Sequence, residues 1–232
     1  MKKNMMMRIA SVLLIAVLIS TSAISGTYAK YVTEGSGSDS ARVAKWGVTV
    51  EAEGTMFAKQ YETDDDTATF TGEYSVDASE KVVAPGTEGE MIAIAITGTP
   101  EVAARVSYTP VVDLGNNWID KDDTTKFYCP IKITVKDTTL CGLDYASAEE
   151  FETAIADNIK GATKDYAPNA DLSAANSDLT VSWEWPFEAD GSYLENSQTD
   201  EKDTFLGDRA AAEVGNAGTI SIKLTVTVTQ ID

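Results

Sequence analysis

The chain has 232 residues, 43% of them apolar, and it carries 18 basic against 37 acidic side chains, a formal net charge of −19. So acidic a surface repels nucleic acids and anionic membranes, and the sequence has no basic patch, so a nucleic-acid-binding function is excluded. The sequence contains no histidine. This removes the commonest metal ligand and general base, which argues against a histidine-dependent enzyme.

The first 29 residues have the three regions of a secretory signal peptide. A basic start without acids precedes an apolar run at 9–19, and small residues follow as far as Ala29. The apolar run is shorter than the ~20 residues that a membrane-spanning helix needs. We expect cleavage between Ala29 and Lys30. The alternative is an uncleaved anchor in which the helix extends through 21–24 and spans the membrane with tilt.

Cleavage at this point would leave about 200 residues, enough for one domain with its own core. The leader holds three bases and no acids, so the secreted chain would carry 15 basic and 37 acidic residues, a net charge of −22. We therefore expect a secreted or cell-surface protein whose only contact with the membrane is through the uncleaved signal peptide.

A short extended segment and a flexible tether follow the predicted cleavage site. The segment consists of Lys30, Tyr31, Val32, Thr33 and Glu34. It contains good strand formers but is too short to fold alone. The Gly/Ser-rich residues 35–40 form a linker whose root-mean-square span is roughly 13 Å. The segment can therefore reach a sheet edge of its own or of a neighbouring molecule, while the alternative is a frayed terminus.

Period-two alternation predicts strands in the first half of the domain at 41–53, 67–76, 81–84, 90–97 and 102–109. The strand at 90–97 is apolar on both faces, which predicts a central position in a sheet. Pro85-Gly86 predicts a turn before it.

The second half contains three further predicted strands. In 126–136 the odd-numbered side chains face inward and Tyr128 faces outward, and Pro130 indicates an edge or a bulge. In 179–187 the apolar face includes Trp183, Trp185 and Phe187. The strand at 220–229 alternates most regularly, with Ile220, Ile222, Leu224, Val226 and Val228 inward.

A helix interrupts these strands. Ser147 and Glu150 form a capping box, Phe151, Ile155 and Ile159 form one apolar stripe, and Gly161 ends the helix. It lies within a predicted insert at about 145–177. A polar loop is predicted at 113–125, anchored by Trp118 and Ile119. Another loop at 188–203 leads to a short helix near 204–212.

About eight alternating strands and one clear helix predict an all-β fold. Over 41–232 we expect an antiparallel β-sandwich of jelly-roll or immunoglobulin type, the jelly-roll-like form with one or two helical insertions being preferred. The signal-peptide helix would precede it.

The two cysteines, Cys129 and Cys141, allow two interpretations. Export permits a disulfide, and their separation in sequence would suit a cross-link between neighbouring strands. Two unpaired buried thiols are the alternative.

The other candidate calcium-binding, sugar-binding and catalytic residues have simpler explanations. Asp64-Asp65-Asp66 favours a solvated acidic loop over a Ca²⁺ site. The segment from Asp120 departs from an EF-hand loop at Thr125 and Ile131, where Gly and Glu are needed. Trp183 and Trp185 would suit sugar stacking, but an aromatic pair on one strand face is more often core. No spacing singles out a pair of carboxylates for glycoside hydrolysis. We therefore expect no catalytic residue, no metal site and no cofactor.

Several stretches resemble one family of secreted bacterial matrix proteins, the TasA/camelysin family. They include SGTYA-KYVTE at the signal-peptide exit, ARVAKWGVTVEAE from Ala41, VVAPGTEGE at 82–90, GTPEVAARVSY at 98–108 and VSWEWPF at 181–187. Together they are spread over most of the chain.

The resemblance implies cleavage by a dedicated SipW-type signal peptidase and a jelly-roll sandwich that polymerises into extracellular fibres. In such a fibre, 30–34 of one subunit would complete the sheet of the next, and the partners would be further copies or related matrix subunits. Camelysin-like members have been classed as metallopeptidases. That activity is not expected here, because the chain has neither histidine nor an HExxH motif.

Two other functions stay open at this point. One is a monomeric cell-surface module that binds carbohydrate or protein through Trp118 or through Trp183 and Trp185. The other is a secreted hydrolase.

Overall fold

The computed structural model describes residues 11–15, 42–52, 56–62, 74–90, 94–187 and 196–231. The chain divides into a unit at Met1–Val43, in which residues 11–15 are helical, and a larger unit at Ala44–Asp232. Within the described residues, no helix combines the length and apolarity that crossing a bilayer requires.

The larger unit is rich in antiparallel strands. In chain order the described strands are β1 (Thr49–Ala52), β2 (Gln60–Glu62), β3 (Tyr74–Asp77), β4 (Thr87–Glu90), β5 (Ile94–Thr97), β6 (Ala104–Leu114), β7 (Lys132–Val135), β8 (Thr138–Cys141), β9 (Lys164–Tyr166), β10 (Val181–Trp185) and β11 (Ile220–Gln230). The α-helices of this unit are α1 (Ala148–Gly161) and α2 (Asn196–Ala212), and short 3-10 helices lie at Gly142–Asp144, Leu172–Ser177 and Val214–Asn216.

Two larger sheets carry most of these strands. One has the order β4-β10-β7-β8 and the other β11-β6-β9, while β1 pairs with β5 and β2 with β3. Every pairing is antiparallel. The structure thus confirms a β-rich, antiparallel architecture with few helices.

Strands β5 and β6 follow one another in the chain, and neighbouring segments lie along both sides of 94–114. On one side, backbone N–H groups of Asn169 and Leu172 donate to the carbonyls of Pro100 (2.7 Å) and Gly98 (2.9 Å), in line with β9 alongside β6. On the other side, β11 pairs with β6, and the Glu101 N–H donates to the Lys45 carbonyl at 3.0 Å just before β1. Strands β11 and β1 therefore follow one another along the same side of 94–114.

Helix α1 forms as the sequence predicts. The Ser147 side chain accepts a hydrogen bond from the Glu150 N–H at 3.2 Å, and Glu150 Oε2 accepts one from the Ala146 N–H at 3.1 Å. Phe151, Ile155 and Ile159 are fully buried, in line with the predicted apolar stripe. The helix also supports the sheet, because Glu152 Oε1 accepts a hydrogen bond from the Leu114 N–H at the end of β6.

The core combines side chains from both larger sheets and from α1. Its members include Val106 and Tyr108 of β6, Ile133 of β7, and Trp183 and Trp185 of β10. Trp118 is 2% exposed, so it anchors the loop at 113–125 as predicted. The indole Nε1 of Trp118 donates to the Thr219 carbonyl at 2.8 Å, which ties this loop to the start of β11.

Several predicted boundaries were wrong. The expected central strand at 90–97 is two strands, β4 at an edge of the four-stranded sheet and β5 paired with β1, and residues 91–93 lie outside the described part. The expected strand at 81–84 is not a strand. The turn at Pro85-Gly86 is confirmed, because the Thr87 N–H donates to the Ala84 carbonyl at 3.1 Å and Gly86 has φ +80°.

The predicted strand at 126–136 is regular only over β7. Its odd-numbered apolar residues are buried as expected from Cys129 onward, and Phe127 is half-buried, but the even-numbered Tyr128, at 2% exposure, and Pro130 are buried too. A run of consecutive buried residues does not fit a strand with one solvent face. The reason is a partner for Tyr128 that lies far away in sequence, Asp203.

Three other expectations need correction. Phe187 is 71% exposed and does not share the buried face of β10, which ends at Trp185 before Pro186. The predicted loop at 188–203 is helical from Asn196, so α2 is longer than the expected helix near 204–212. The strand expected from Ala41 is confined to β1, and the short strands β2, β8 and β9 were missed.

Candidate functional site

The outer edge of β11 is the most prominent unpaired feature of the described residues. Its orientation follows from two backbone contacts: the Ile231 N–H donates to the Ala103 carbonyl at 3.0 Å, and the Gly115 N–H donates to the Thr219 carbonyl at 3.0 Å. In an antiparallel pair, hydrogen-bonded and non-hydrogen-bonded positions alternate. Odd-numbered residues of β11 therefore bond to β6, and even-numbered residues direct their N–H and C=O groups away from it.

Six residues of β11 thus present backbone groups to the open side. They are Ile220, Ile222, Leu224, Val226, Val228 and Gln230. Within the part of the chain that the structure describes, no strand pairs with this side of β11. The position of Pro110 agrees with the assignment, because it faces Leu224 at a non-hydrogen-bonded position, where its lack of an N–H costs no ladder bond.

The edge lacks the features that usually prevent strand addition. The register between β11 and β6 is unbroken over all 11 residues of β11, without a bulge. It contains no proline, and Lys223 is its only charged side chain, although the chain as a whole is strongly charged. Natural edge strands are commonly shortened, bulged or charged to avoid pairing with other chains. Apart from Lys223, the described edge of β11 carries none of these features.

The side chains along this edge are only half-buried. Ile220, Ile222, Leu224, Val226 and Val228 pack against the core but retain intermediate exposure. In and just before β1, Trp46 and Val50 are more exposed still, at 36% and 38%. An additional strand would cover apolar surface as well as satisfying the backbone groups.

The predicted donor residues 30–34, the tether 35–40 and the cleavage site at Ala29 and Lys30 lie outside the described residues. The described chain resumes at Arg42. Signal-peptide cleavage and strand donation stay predictions.

A buried carboxylate with two hydrogen-bond donors lies beneath α2. Asp203, at 9% exposure, accepts hydrogen bonds from the Tyr128 hydroxyl at 2.8 Å and from Trp185 Nε1 at 3.0 Å. Burial raises the pKa of the Asp203 carboxyl despite these two donors. These two hydrogen bonds tie α2 to β10 and to the segment before β7.

Asp120, part of the rejected EF-hand segment, is engaged by a lysine of α2. Lys202 Nζ contacts Asp120 Oδ2, and the two side chains are 11% and 15% exposed. Burial opposes ionisation of Asp120, but the hydrogen bond and charge of Lys202, together with backbone N–H donors at Asp122 and Asp123, outweigh it and lower the pKa of this carboxyl. In the described part of the chain, no group of three or more potential metal ligands is arranged to hold an ion. Asp64, Asp65 and Asp66 lie outside that part.

Both cysteines are free thiols in the structure. Cys129 is fully buried, and burial raises the pKa of its thiol; Cys141 is partly exposed in β8, opposite Lys132 of β7. The disulfide between them stays a prediction.

The predicted sugar-stacking tryptophans are not accessible. Trp183 and Trp185 are 2% and 6% exposed, and the Trp183 Nε1 donates to the Met56 carbonyl at 2.6 Å. Trp118 packs against Trp185 with ring centroids 5.7 Å apart. The core interpretation of the tryptophan pair is confirmed, and these residues are unsuited to binding a ligand at the surface.

Comparison with known proteins identifies no relative. No family model matches the chain, and neither a curated protein nor a solved structure shows significant similarity to it.

Proposed function

We propose that this protein is a secreted structural component of an extracellular matrix, a fibre subunit or an accessory of the TasA/camelysin type. After cleavage by a SipW-type signal peptidase, residues 30–34 of one copy add as a strand to the open edge of β11 in the next copy. The single observation that carries the proposal is this 11-residue edge, which has outward-directed backbone groups and half-buried apolar side chains.

A jelly-roll sandwich is the finer fold that we propose. Its support is that the sheets β4-β10-β7-β8 and β11-β6-β9 contribute alternate apolar side chains to one shared core cluster. Two sheets that pack face to face in this way form a sandwich. The insert at 145–177 then adds α1 to this core, and α2 docks on it through Asp203.

The energetics allow a five-residue donor to hold a neighbour. Each intermolecular backbone hydrogen bond contributes about 0.5–1.5 kcal/mol, and covering the half-buried side chains adds about 25 cal/mol per Å² of apolar surface. Tyr31 and Val32 supply apolar surface on the donor. Every added copy brings both a donor segment and an acceptor edge, so the same contact can be repeated along a fibre.

The test uses two variants that each lose one half of the contact. Deletion of 30–34 removes the donor, and Val226→Pro removes an outward N–H near the middle of the acceptor edge without removing a bond to β6. Each variant alone is expected to be monomeric by size-exclusion chromatography with light scattering, whereas the unmodified secreted form gives high-mass species.

Mixing the two variants provides the decisive arm. The deletion variant still has an acceptor edge and Val226→Pro still has a donor, so a mixture is expected to form heterodimers and nothing larger. Thr225→Pro is the matched control, because its N–H is directed to β6 and its loss should lower thermal stability instead. Assembly of the deletion variant, or a mixture that stays monomeric, would contradict the proposal. A monomeric binding module would be monodisperse in every sample.

A further inference from the structure

A cleft on the outer face of the four-stranded sheet is independent of the β11 edge. It has a volume of about 370 Å³ and includes Gly86, Glu88, Glu184, Pro186 and Phe187 in its lining. A second cleft of about 300 Å³ shares Glu88 and Glu184 with it and extends toward Ser182 and Thr134. We call the two together the β4–β10 cleft.

One end of this cleft is aromatic. Phe187 is 71% exposed and rests on the backbone of Gly86, since a Cβ at Gly86 would lie 3.4 Å from the Phe187 ring. An exposed, supported aromatic ring offers a flat apolar surface and a negative face to a ligand.

Two carboxylates occupy the middle of the cleft. Glu88 and Glu184 are direct register partners on β4 and β10, so they project from the same face of the sheet. Directly opposite side chains have Cβ atoms about 4.5–5.5 Å apart, and like charges at this distance destabilise a sheet. Glu184 has Lys132 Nζ at 3.1 Å, whereas Glu88 forms no ion pair with the described residues. The pair therefore presents excess negative charge beside an aromatic surface.

The chemistry of the cleft limits its ligand. Anionic polysaccharides would be repelled by the carboxylates and by the net charge of −19. A metal ion is disfavoured, because the described residues provide no cluster of three or more ligands. An ammonium group would complement the two carboxylates, and a saccharide ring would stack on Phe187. The hydroxyls of Ser182 and Thr134 would be available to sugar hydroxyls.

We propose that the β4–β10 cleft binds a polycationic amino-sugar chain, with a ring on Phe187 and an ammonium group between Glu88 and Glu184. The ligand class is a glucosamine polymer with free amino groups. Such binding would attach the protein to a matrix polysaccharide whether or not it polymerises through β11.

The probe is a fully deacetylated β-1,4-glucosamine hexamer, titrated calorimetrically at about pH 6, where free amino groups are largely protonated. Glu88→Gln/Glu184→Gln is expected to weaken binding at least about tenfold, through loss of charge-assisted hydrogen bonds. Phe187→Ala should weaken it about fivefold or more. The control Glu51→Gln/Glu213→Gln changes net charge equally outside the cleft and should leave affinity within about twofold.

A stability readout separates binding from folding. Because Glu88→Gln relieves like-charge repulsion, this variant should unfold at the same or a higher temperature than the unmodified protein while it loses affinity. Equal weakening by the control pair would show non-specific attraction of a polycation and overturn the proposal. Equal binding of a lysine hexamer, equal binding of the N-acetylated sugar, or no binding of the probe would also overturn it.

Discussion

The carboxylate of Asp203 on α2 accepts a hydrogen bond from the indole Nε1 of Trp185 on β10 at 3.0 Å. A second donor, the Tyr128 hydroxyl, lies 2.8 Å from the other carboxylate oxygen. Three segments far apart in sequence thus meet at one buried acid. Thr199 and Leu206 are buried on the same side of the helix, at one-turn intervals, so Asp203 is the polar centre of the surface that docks α2.

Replacing Asp203 with asparagine should destabilise the protein in a pH-dependent way. An amide cannot accept from both donors, so Asp203→Asn is expected to cost about 1–3 kcal/mol at low pH. Burial raises the pKa of Asp203 in the folded protein above its unfolded value of about 3.9. Between these two pKa values the native state binds more protons than the unfolded state, so the protein loses stability as pH rises through the folded pKa. The asparagine variant lacks this loss.

In urea unfolding experiments, the difference in unfolding free energy between the unmodified protein and Asp203→Asn should therefore narrow from about pH 4 upward. A gap that widens with pH would mean that the ionised carboxylate is the form that the site favours. The conservative variant Thr204→Ser, on the exposed side of α2, serves as a control and should leave the pH profile unchanged.

Gly89 of β4 is expected to tolerate no side chain. A Cβ there would lie 2.4 Å from the Met56 carbonyl and 2.6 Å from Trp183 Nε1, the two atoms that form a buried hydrogen bond with each other. Gly89→Ala should therefore lower the free energy of unfolding by about 2 kcal/mol or more. Gly207→Ala is the matched control, because a Cβ at Gly207 meets nothing within 4 Å and an alanine inside α2 should add up to about 1 kcal/mol. Thermal unfolding of both variants decides the matter, and equal shifts would contradict it.

The elements that the sequence predicts well are those whose signal is local. Helix α1 has its cap and its apolar stripe within one segment, and β10 and β11 show their buried faces as simple alternation. The sequence predicts the start of α2 several residues too far along the chain, because the docking face of this helix contains a threonine and an aspartate, which carry no apolar signal. Tyr128 was assigned to the wrong face because its partner Asp203 follows 75 residues later.

The candidate site shows the same limit. The regular pattern at 220–229 predicts a strand and its buried face, but not that this strand lies at the edge of a sheet, because pairing depends on non-local contacts. The near absence of charge along β11 was the available signal. The β4–β10 cleft was missed because Glu88 and Glu184 become neighbours only through strand register, and Phe187 was expected in the core.

Thiol reactivity should distinguish the two interpretations of the cysteines. Burial raises the thiol pKa of both residues, but only Cys141 has surface exposure. With free thiols, one equivalent should react with an aromatic disulfide reagent in the native state and a second only after unfolding. Cys141→Ser should abolish the fast phase, whereas Cys129→Ser should leave it. If unfolded, unreduced protein has no reactive thiol, the residues form a disulfide.

Two lysine–carboxylate pairs at α2 differ in exposure, so their contributions to stability can be compared. Lys202 and Asp120 are 11% and 15% exposed, whereas Lys121 and Glu201 form a similar contact at 40% and 69% exposure. Removing one member of a largely buried pair leaves an uncompensated charge, so Lys202→Met is expected to cost about 2–4 kcal/mol at pH 7. Lys121→Met should cost much less, because solvent screens the charges of an exposed pair.

The pH dependence gives this prediction its sign. The folded pKa of Asp120 is lowered, because Lys202 and the backbone N–H donors of Asp122 and Asp123 together outweigh the effect of burial. The stability that Asp120 contributes is therefore present above the unfolded pKa of about 3.9 and is lost as pH falls through the folded pKa. The deficit of Lys202→Met should therefore be largest near neutral pH and shrink below about pH 4. Urea unfolding of the two lysine variants across this range is the measurement. A deficit that is constant with pH would assign the effect to lost packing of the lysine stem against the Tyr128 ring, which lies 5.5 Å from Nζ, and not to its charge.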